Sequence, residues 1–143
     1  MKLHAMVISV KIQIVFLHLF KTLMNHQTTN KPANWDYLVK QFPNIKWENI
    51  VVTYGGVIHS KHPLSPDVLA HELVHVEQQQ GIDKDEYVER FISDNNFRYK
   101  MELKAYQVQL RYWAEKLAKD LSGSIYGNMV SYEQAIKDIY VYP

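Results

Sequence analysis

Two interpretations of the apolar pattern compete at the start of the chain. Residues 8–14 (ISVKIQI) alternate strictly between apolar and polar side chains, which is typical of a half-buried strand. His4, Lys11 and His18 recur every seven residues, which is typical of a helix that is otherwise apolar all round. Lys11 lies near the middle of the apolar run 5–24, where a membrane span tolerates a cation poorly. We therefore expect a strand or helix packed on the domain rather than a membrane anchor.

A short helix and a pair of strands are predicted next. Residues 25–33 are polar and contain a proline, so they indicate a connector. A helix is expected over residues 34–41 and ends before Pro43, because the residue that precedes a proline avoids helical backbone angles. In residues 46–60 (KWENIVVTYGGVIHS) an apolar, β-branched run is interrupted by Gly55-Gly56, which predicts two short strands joined by a tight turn.

The clearest helix of the chain begins at residue 66. Ser65 suits the N-cap position, Pro66 suits the first helical position, and Asp67 lies at the positive end of the helix dipole. The helix should run to about Gln80 and stop at Gly81, because glycine is the usual residue at a left-handed C-terminal cap.

The rest of the chain has helical periodicity. A helix over residues 83–93 is broken by Asp94-Asn95-Asn96, and a long amphipathic helix follows over about 97–121. Turn residues then precede the capping-box pattern of 131–134, which opens a last short helix ending near Tyr140. Together these elements predict one α+β domain over residues 1–143, in which a small β-sheet precedes the helix that begins at residue 66 and the C-terminal half is mainly helical.

Composition and charge exclude several classes of function. At 143 residues, with 47% hydrophobic and 22% charged side chains, the chain has the make-up of an ordinary globular domain. It contains no cysteine, so disulfides, thiolate zinc fingers and cysteine nucleophiles are excluded, and the possible metal ligands are His, Asp and Glu. The net charge is +1, and the local excess of +5 in residues 1–62 comes from scattered lysines. We therefore expect no binding to nucleic acid.

Candidate chemistry is concentrated in an HExxH motif, His71-Glu72-Leu73-Val74-His75, inside the clearest helix. Two histidines four residues apart lie on one helical face, so both imidazoles can reach a single ion. Glu72 is expected beside that ion, where its carboxylate can act as a general base on water. We predict one Zn²⁺ ion with His71 and His75 as metal ligands and Glu72 as the catalytic residue. The alternative is a pair of solvated or hydrogen-bonded histidines on a surface helix.

A catalytic zinc site needs a third protein ligand and one open position. Glu102 is favoured because it lies 27 residues after His75, beyond one helix and a turn, on a long helix that can return across the first. Glu77 is too close along its own helix and faces away from His71. Glu86 and Glu89 have the pattern of solvated positions.

The two helices resemble those of small HExxH metallopeptidase-like proteins of the minimal gluzincin type, many of them encoded by phages or prophages. The resemblance rests on residues 68–79 (VLAHELVHVEQQ) and 97–109 (FRYKMELKAYQVQ), preceded by the strand pair. It covers about residues 47–140, the metallopeptidase core, and residues 1–46 have no counterpart. It implies a gluzincin-like fold with Glu102 as the third ligand. One departure is Lys104, where family members often carry a second acid.

Three other side chains are candidates for supporting roles. Tyr106 lies one turn after Glu102, where its phenol can hydrogen-bond a ligand and orient it, or where its ring can be an ordinary core aromatic. His59 and His62 precede the motif, and either one could stabilise an oxyanion, although loop histidines are more often solvated. The strand of residues 53–59 is expected at the rim of the cleft, where an extended peptide could add to a free edge.

The expectation from the sequence is a zinc metallopeptidase, a hydrolase that acts on a peptide or protein substrate. One alternative is a zinc-containing structural or interaction protein, for example a phage particle component with a catalytic-type site. Another is a hydrolase of a non-peptide amide such as cell-wall material. The chain shows no clear signal peptide, so we expect a soluble protein, cytoplasmic or virion-associated.

Overall fold

Three short strands and five helices form the part of the chain that the structure, a computed structural model, describes, residues 26–141. The strands are β1 (Gln27–Thr28), β2 (Val51–Tyr54) and β3 (Val57–Ser60). The helices are α1 (Trp35–Gln41), α2 (Pro66–Gln78), α3 (Lys84–Ser93), α4 (Asn95–Ser122) and α5 (Tyr132–Val141), and a short 3-10 helix, Ser124–Tyr126, separates the last two. The predicted α+β class is confirmed. The strand or helix predicted within residues 5–24 lies outside the described residues, so the extent of the single domain stays a prediction.

The strand pair predicted around Gly55-Gly56 is confirmed as β2 and β3. The two glycines have φ angles of 61° and 76°, which a tight two-residue turn requires and which glycine adopts without strain. The strands of the described sheet lie in the order β1-β3-β2, so β3 is central and β2 is at an edge. Ile58 of β3 is fully buried. This sheet packs against α2 mainly through β2.

Strand β1 contradicts the prediction that residues 25–33 are only a connector. It pairs in parallel with β3, with Gln27 opposite Ile58. The backbone N–H of Ile58 donates to the carbonyl of His26, and the His26 side chain contacts the carbonyl of Gly56 through Nδ1. This pairing is made by backbone groups, so the polar side chains of the segment gave no strand signal.

Helix α2 begins where the sequence predicted, with Pro66 in its first turn. Ser65 occupies the N-cap position, but its side chain makes no bond to the cap N–H groups. Asp67 is buried instead and accepts hydrogen bonds from Gln109 and Trp113 of α4 at 2.8 and 3.1 Å. These bonds hold the long helix across the start of α2.

The break predicted over residues 94–96 narrows to one residue. Asp94 separates α3 from α4, and its Oδ1 accepts hydrogen bonds from the N–H groups of Asn96 and Phe97. Helix α3 is capped in the same way by Asp83. A single aspartate suffices because its side chain satisfies two N–H groups that would otherwise lack partners at the start of a helix.

The C-terminal helices pack through small side chains. Ala114 and Ala118 of α4 and Ala135 of α5 are buried, and the two helices lie along one another. The predicted N-terminal cap of α5 is confirmed, since the N–H of Gln134 donates to Ser131 Oγ. None of the helices within residues 26–141 combines the length and the apolar character that crossing a bilayer demands.

Candidate metal centre

The two histidines of the motif point their Nε2 atoms at the same place. His71 and His75 lie one turn apart on α2, and each is 7% exposed. Their Nε2 atoms are 3.2 Å apart and their rings meet edge to face. Because helical geometry sets this spacing, the placement of both imidazoles follows from the motif itself.

The third predicted ligand comes from a different helix. Glu102 lies in the second turn of α4, and its side chain is about one third exposed. Its Oε2 is 3.5 Å from His71 Nε2 and its Oε1 is 3.7 Å from His75 Nε2. These three side chains form a group that could hold a metal ion. The structure therefore brings together the three residues that were predicted as metal ligands.

Electrostatics favour an ionised carboxylate within this group. Burial raises the pKa of Glu102, but its close contacts with the His71 and His75 imidazoles outweigh burial and bring the pKa to about 2. Burial lowers the pKa of His75, and contacts with Glu102 and Gln78 more than compensate, so its pKa is raised. The site thus concentrates one negative charge between two imidazoles.

Glu72 lies beside the three ligands and outside their group. It is 7% exposed, and the Thr53 hydroxyl of β2 donates a hydrogen bond to its Oε2 at 2.7 Å. Burial raises the pKa of this carboxyl, while the bond from Thr53 and the two imidazoles act in the opposite direction. The strand pair therefore fixes the carboxylate that was predicted as the general base.

Sequence reasoning missed two neighbouring glutamines, of which Gln78 contacts His75 and Gln79 bonds the strand pair. Gln78 Oε1 lies 2.9 Å from His75 Nδ1. Gln79 is buried, and its Nε2 donates to the Thr53 carbonyl at 2.8 Å while its Oε1 accepts from the N–H of Gly56. These two glutamines lie one helical turn after His75. Gln78 contacts the His75 side chain, and Gln79 connects α2 to the β2–β3 strand pair. Their position directly after the motif was the available signal.

Tyr106 reaches the site through its ring. Its centroid lies 4.5 Å from that of His71, with an interplanar angle of 74°, which is an edge-to-face contact. Among the hydrogen bonds of the described residues, none joins the Tyr106 hydroxyl to a ligand, and the side chain is 59% exposed. Neither sequence interpretation describes this geometry, because the residue is not a core aromatic and its contact with His71 is made by the ring and not by the hydroxyl.

The rival residues lie elsewhere. Glu77 and Glu86 are exposed, and Glu89 accepts a hydrogen bond from the Tyr37 hydroxyl. Lys104, the departure from the family pattern, is also exposed. His59 contacts the Asn30 carbonyl, and His62 lines a separate, smaller groove. Neither of these histidines lines the cavity that contains the ligands.

That cavity has a volume of about 590 Å³ and is lined by β2, by helices α1 to α4 and by residues next to them. The ligands and Glu72 line one part of it. The remaining wall is mostly apolar and comes from α1, the segment before β2, and α3. Its apolar members are Leu38, Ile45, Ile50, Val88, Phe91 and Ile92.

No family model, curated protein or solved structure matches this chain. The function of this chain therefore has to be inferred from the geometry of the site itself.

Proposed function

We propose that this chain is a zinc-dependent metallopeptidase of the minimal gluzincin type that hydrolyses peptide bonds. The observation that carries the proposal is the convergence of His71, His75 and Glu102, with the Glu72 carboxylate buried beside them in one cavity. Three protein ligands with one position left open are what catalytic zinc requires.

The spacing of the three side chains supports zinc as the metal. In tetrahedral zinc sites, metal–ligand distances of about 2.0–2.2 Å place neighbouring ligand atoms about 3.3–3.6 Å apart. Here the two Nε2 atoms are 3.2 Å apart, and they lie 3.5 and 3.7 Å from different oxygens of Glu102, so all three side chains are close to this spacing. His71 Nδ1 is buried without a hydrogen-bond partner within the described residues, so this ring relies on its Nε2 side for its polar contacts. Two imidazoles and one carboxylate are an established donor set for catalytic zinc.

The contacts of the metal-binding group and of Glu72 indicate a separate role for each of them. A bound Zn²⁺ ion would polarise a substrate carbonyl and make water acidic near neutral pH. The Thr53 hydroxyl bonds Oε2 of Glu72, and Oε1 makes no hydrogen bond within the described residues. Oε1 is therefore the atom that accepts a proton from the attacking water. Glu72 then returns this proton to the leaving amine nitrogen.

The cavity supports a substrate with a large apolar side chain. Its volume of about 590 Å³ is larger than a metal ion and one water molecule would occupy, and much of its wall is aliphatic or aromatic. An apolar side chain of the substrate would enter this space while its peptide bond lies over the ligands. We therefore expect cleavage next to large hydrophobic residues.

Strand β2 offers a backbone edge for an extended peptide. Because β3 lies between β1 and β2, the part of the 53–59 prediction that falls on β3 is wrong, and the β2 edge is the only one of the two that can accept a strand. Ile58 directs its N–H towards β1, so its partner Thr53 directs its own N–H and carbonyl to the outer edge. Gln79 occupies that carbonyl. Among the described residues, the Thr53 N–H and the backbone of Val51 at this edge have no partner, so they are the groups that would pair with a peptide.

The test compares wild type with Glu72→Gln by metal analysis and by cleavage of a peptide library, with isolated peptidoglycan as a second substrate. We expect one zinc per chain in both proteins and a rate that falls about 10²- to 10⁴-fold in the variant, because a general base has been removed. Glu77→Gln, a change of an exposed glutamate on the same helix, is the matched control and should retain the wild-type rate. An undiminished rate in Glu72→Gln would overturn the mechanism, and cleavage of peptidoglycan alone would identify a non-peptide amide as the substrate.

One observation favours the alternative of an interaction protein that contains a catalytic-type site. Large apolar residues recur along α4 at spacings that alternate between four and three residues, the pattern of a coiled-coil seam. They are between 41% and 64% exposed: Tyr99, Leu103, Tyr106, Leu110, Trp113 and Leu117. A zinc-loaded wild-type protein that cleaves neither peptides nor peptidoglycan but purifies in a stoichiometric assembly, such as a phage particle, would favour this alternative.

A further inference from the structure

The side-chain amide of Gln78 connects three helices. Its Oε1 lies 2.9 Å from His75 Nδ1 and accepts a hydrogen bond from the Tyr87 hydroxyl of α3 at 3.1 Å. Its Nε2 donates to the backbone carbonyl of Met101 in α4 at 3.1 Å. Met101 directly precedes Glu102, so the amide reaches one metal ligand by its side chain and lies beside another along the chain.

These contacts determine which end of the amide faces the histidine. A carbonyl oxygen only accepts hydrogen bonds, so the group that faces Met101 must be the amide NH₂. The amide oxygen therefore faces His75. An oxygen at that position needs a donor, and the available donor is a proton on His75 Nδ1.

The position of this proton decides what the other ring nitrogen can do. A neutral imidazole carries one N–H, and the hydrogen bond at one nitrogen selects the tautomer. With the proton on Nδ1, the Nε2 atom keeps its lone pair. This is the atom that lies 3.2 Å from His71 Nε2 and 3.7 Å from the Glu102 carboxylate.

We propose that Gln78 is a positioning residue that holds His75 in the Nδ1–H tautomer and aims its Nε2 lone pair at the metal. This inference rests on the proposed zinc site and adds to it a residue that never touches the ion. Outer hydrogen-bond partners of metal-binding histidines fix both the tautomer and the ring orientation. The role is specific to His75, because the Nδ1 atom of His71 is buried without a partner among the described residues.

The first measurement needs no metal. Long-range ¹H–¹⁵N correlation spectra of the zinc-free protein, recorded at alkaline pH where His75 is neutral, distinguish the two tautomers. We expect the Nδ1–H form in wild type and a shift toward the Nε2–H form in Gln78→Leu. A wild-type His75 protonated at Nε2 overturns the proposal, whatever the metal affinity.

The second measurement is the Zn²⁺ dissociation constant from competition with a chromogenic chelator. Gln78→Leu should weaken zinc binding about tenfold to a hundredfold. Gln78→Glu should bind zinc more tightly than Gln78→Leu, because a carboxylate still accepts the His75 proton even though it cannot donate to the Met101 carbonyl. Zinc binding by Gln78→Leu as tight as that of wild type would contradict the positioning role.

Two control variants separate positioning from folding. Gln79→Leu removes a neighbouring buried glutamine that contacts no histidine, so it should lower the melting temperature and leave the zinc affinity within about threefold of wild type. Tyr87→Phe removes the other donor to Gln78 Oε1 and should behave likewise. Equal losses of zinc affinity in Gln79→Leu and Gln78→Leu would mean that the effect of Gln78 is only structural. Failure of the wild-type protein to bind zinc would overturn the proposed function, and the tautomer measurement would still decide whether Gln78 orients His75.

Discussion

Along residues 95–113 of helix α4, polar side chains bond to α2 and α3 and Ala105, which lies between them in sequence, is buried, whereas along residues 114–122 the buried side chains are only small and apolar. In the first part, Glu102 meets two imidazoles and Gln109 and Trp113 donate to Asp67. In the second part, the buried residues are Ala114 and Ala118. Hydrogen bonds and charges specify direction as well as distance, while alanine packing specifies mainly how closely two helices approach.

The difference indicates how one helix serves two purposes. The polar part places Glu102 beside the two imidazoles of α2, in a group that could hold a metal ion. The apolar part anchors the same helix on the rest of the protein. Substitutions in the first part should therefore alter metal affinity, and substitutions in the second should alter stability with little effect on the metal.

The largest effect is expected for Glu102→Ala. Removing one of three ligands should weaken zinc binding by more than the roughly hundredfold typical of outer hydrogen-bond partners. The dissociation constant for Zn²⁺, measured by chelator competition, provides the check. Glu115→Ala, an exposed position just beyond Trp113 on the same helix, is the matched control and should bind zinc normally. Zinc retained at full affinity without Glu102 would mean that the third ligand is another residue.

Ala118→Leu should give the largest loss of stability. This alanine is fully buried on α4, so a larger side chain overpacks its surroundings at a cost of about 1–3 kcal/mol. Urea titration measures the free energy of unfolding, and chelator competition on the same sample should show unchanged zinc affinity. Lys119→Leu, at the next and exposed position, should leave stability nearly unchanged. A large loss of zinc affinity in Ala118→Leu would contradict the separation of the two parts.

Asp67→Asn should change how stability depends on pH. Hydrogen bonds from Ser65, Gln109 and Trp113 lower the pKa of the Asp67 carboxyl from 3.8 to about 2. Because the folded-state pKa is the lower one, the contribution is complete above pH 4 and disappears as the pH falls towards 2. Wild type should therefore exceed the variant by about 1–2 kcal/mol at neutral pH. Urea titrations of both proteins between pH 2 and 6 would show the gap closing at low pH, and a gap independent of pH would contradict this account.

Asp94→Ala should have the smallest effect. The side chain caps α4 by accepting from two backbone N–H groups, and its loss should cost about 1 kcal/mol. Thermal unfolding would measure this loss, and Asp94→Asn should restore most of the stability because asparagine is an equally good cap. If asparagine restored nothing, the aspartate would act by its charge and not as a cap.

Features that depend on near neighbours in sequence were predictable. The spacing of His71 and His75, the start of α2 at Pro66 and the glycine turn all arise from helical or turn geometry over a few residues. The placement of Glu102 was also predicted, because the length of one intervening helix limits where the next helix can return. Zinc itself, and hydrolysis, stay predictions until the experiments above are done.

Features that depend on distant partners were not predictable from local pattern. Strand β1 exists because its backbone meets β3, and polar side chains give no sign of that. Thr53 contacts Glu72, which lies 19 residues later in the sequence, and Gln78 contacts Met101, which lies 23 residues later. The ring contact of Tyr106 likewise depends on the angle at which α4 crosses α2. Such details require the packed arrangement of the helices.

Thr53 makes one contact through its backbone and another through its side chain, so this residue connects the edge of the sheet to Glu72. Its carbonyl at the sheet edge is taken by Gln79, and its hydroxyl is bonded to Glu72. If Glu72 is the proton acceptor proposed above, a peptide that pairs with the Thr53 backbone would also shift the hydroxyl that holds this carboxylate. Binding of substrate and orientation of the carboxylate would then depend on the same amino acid.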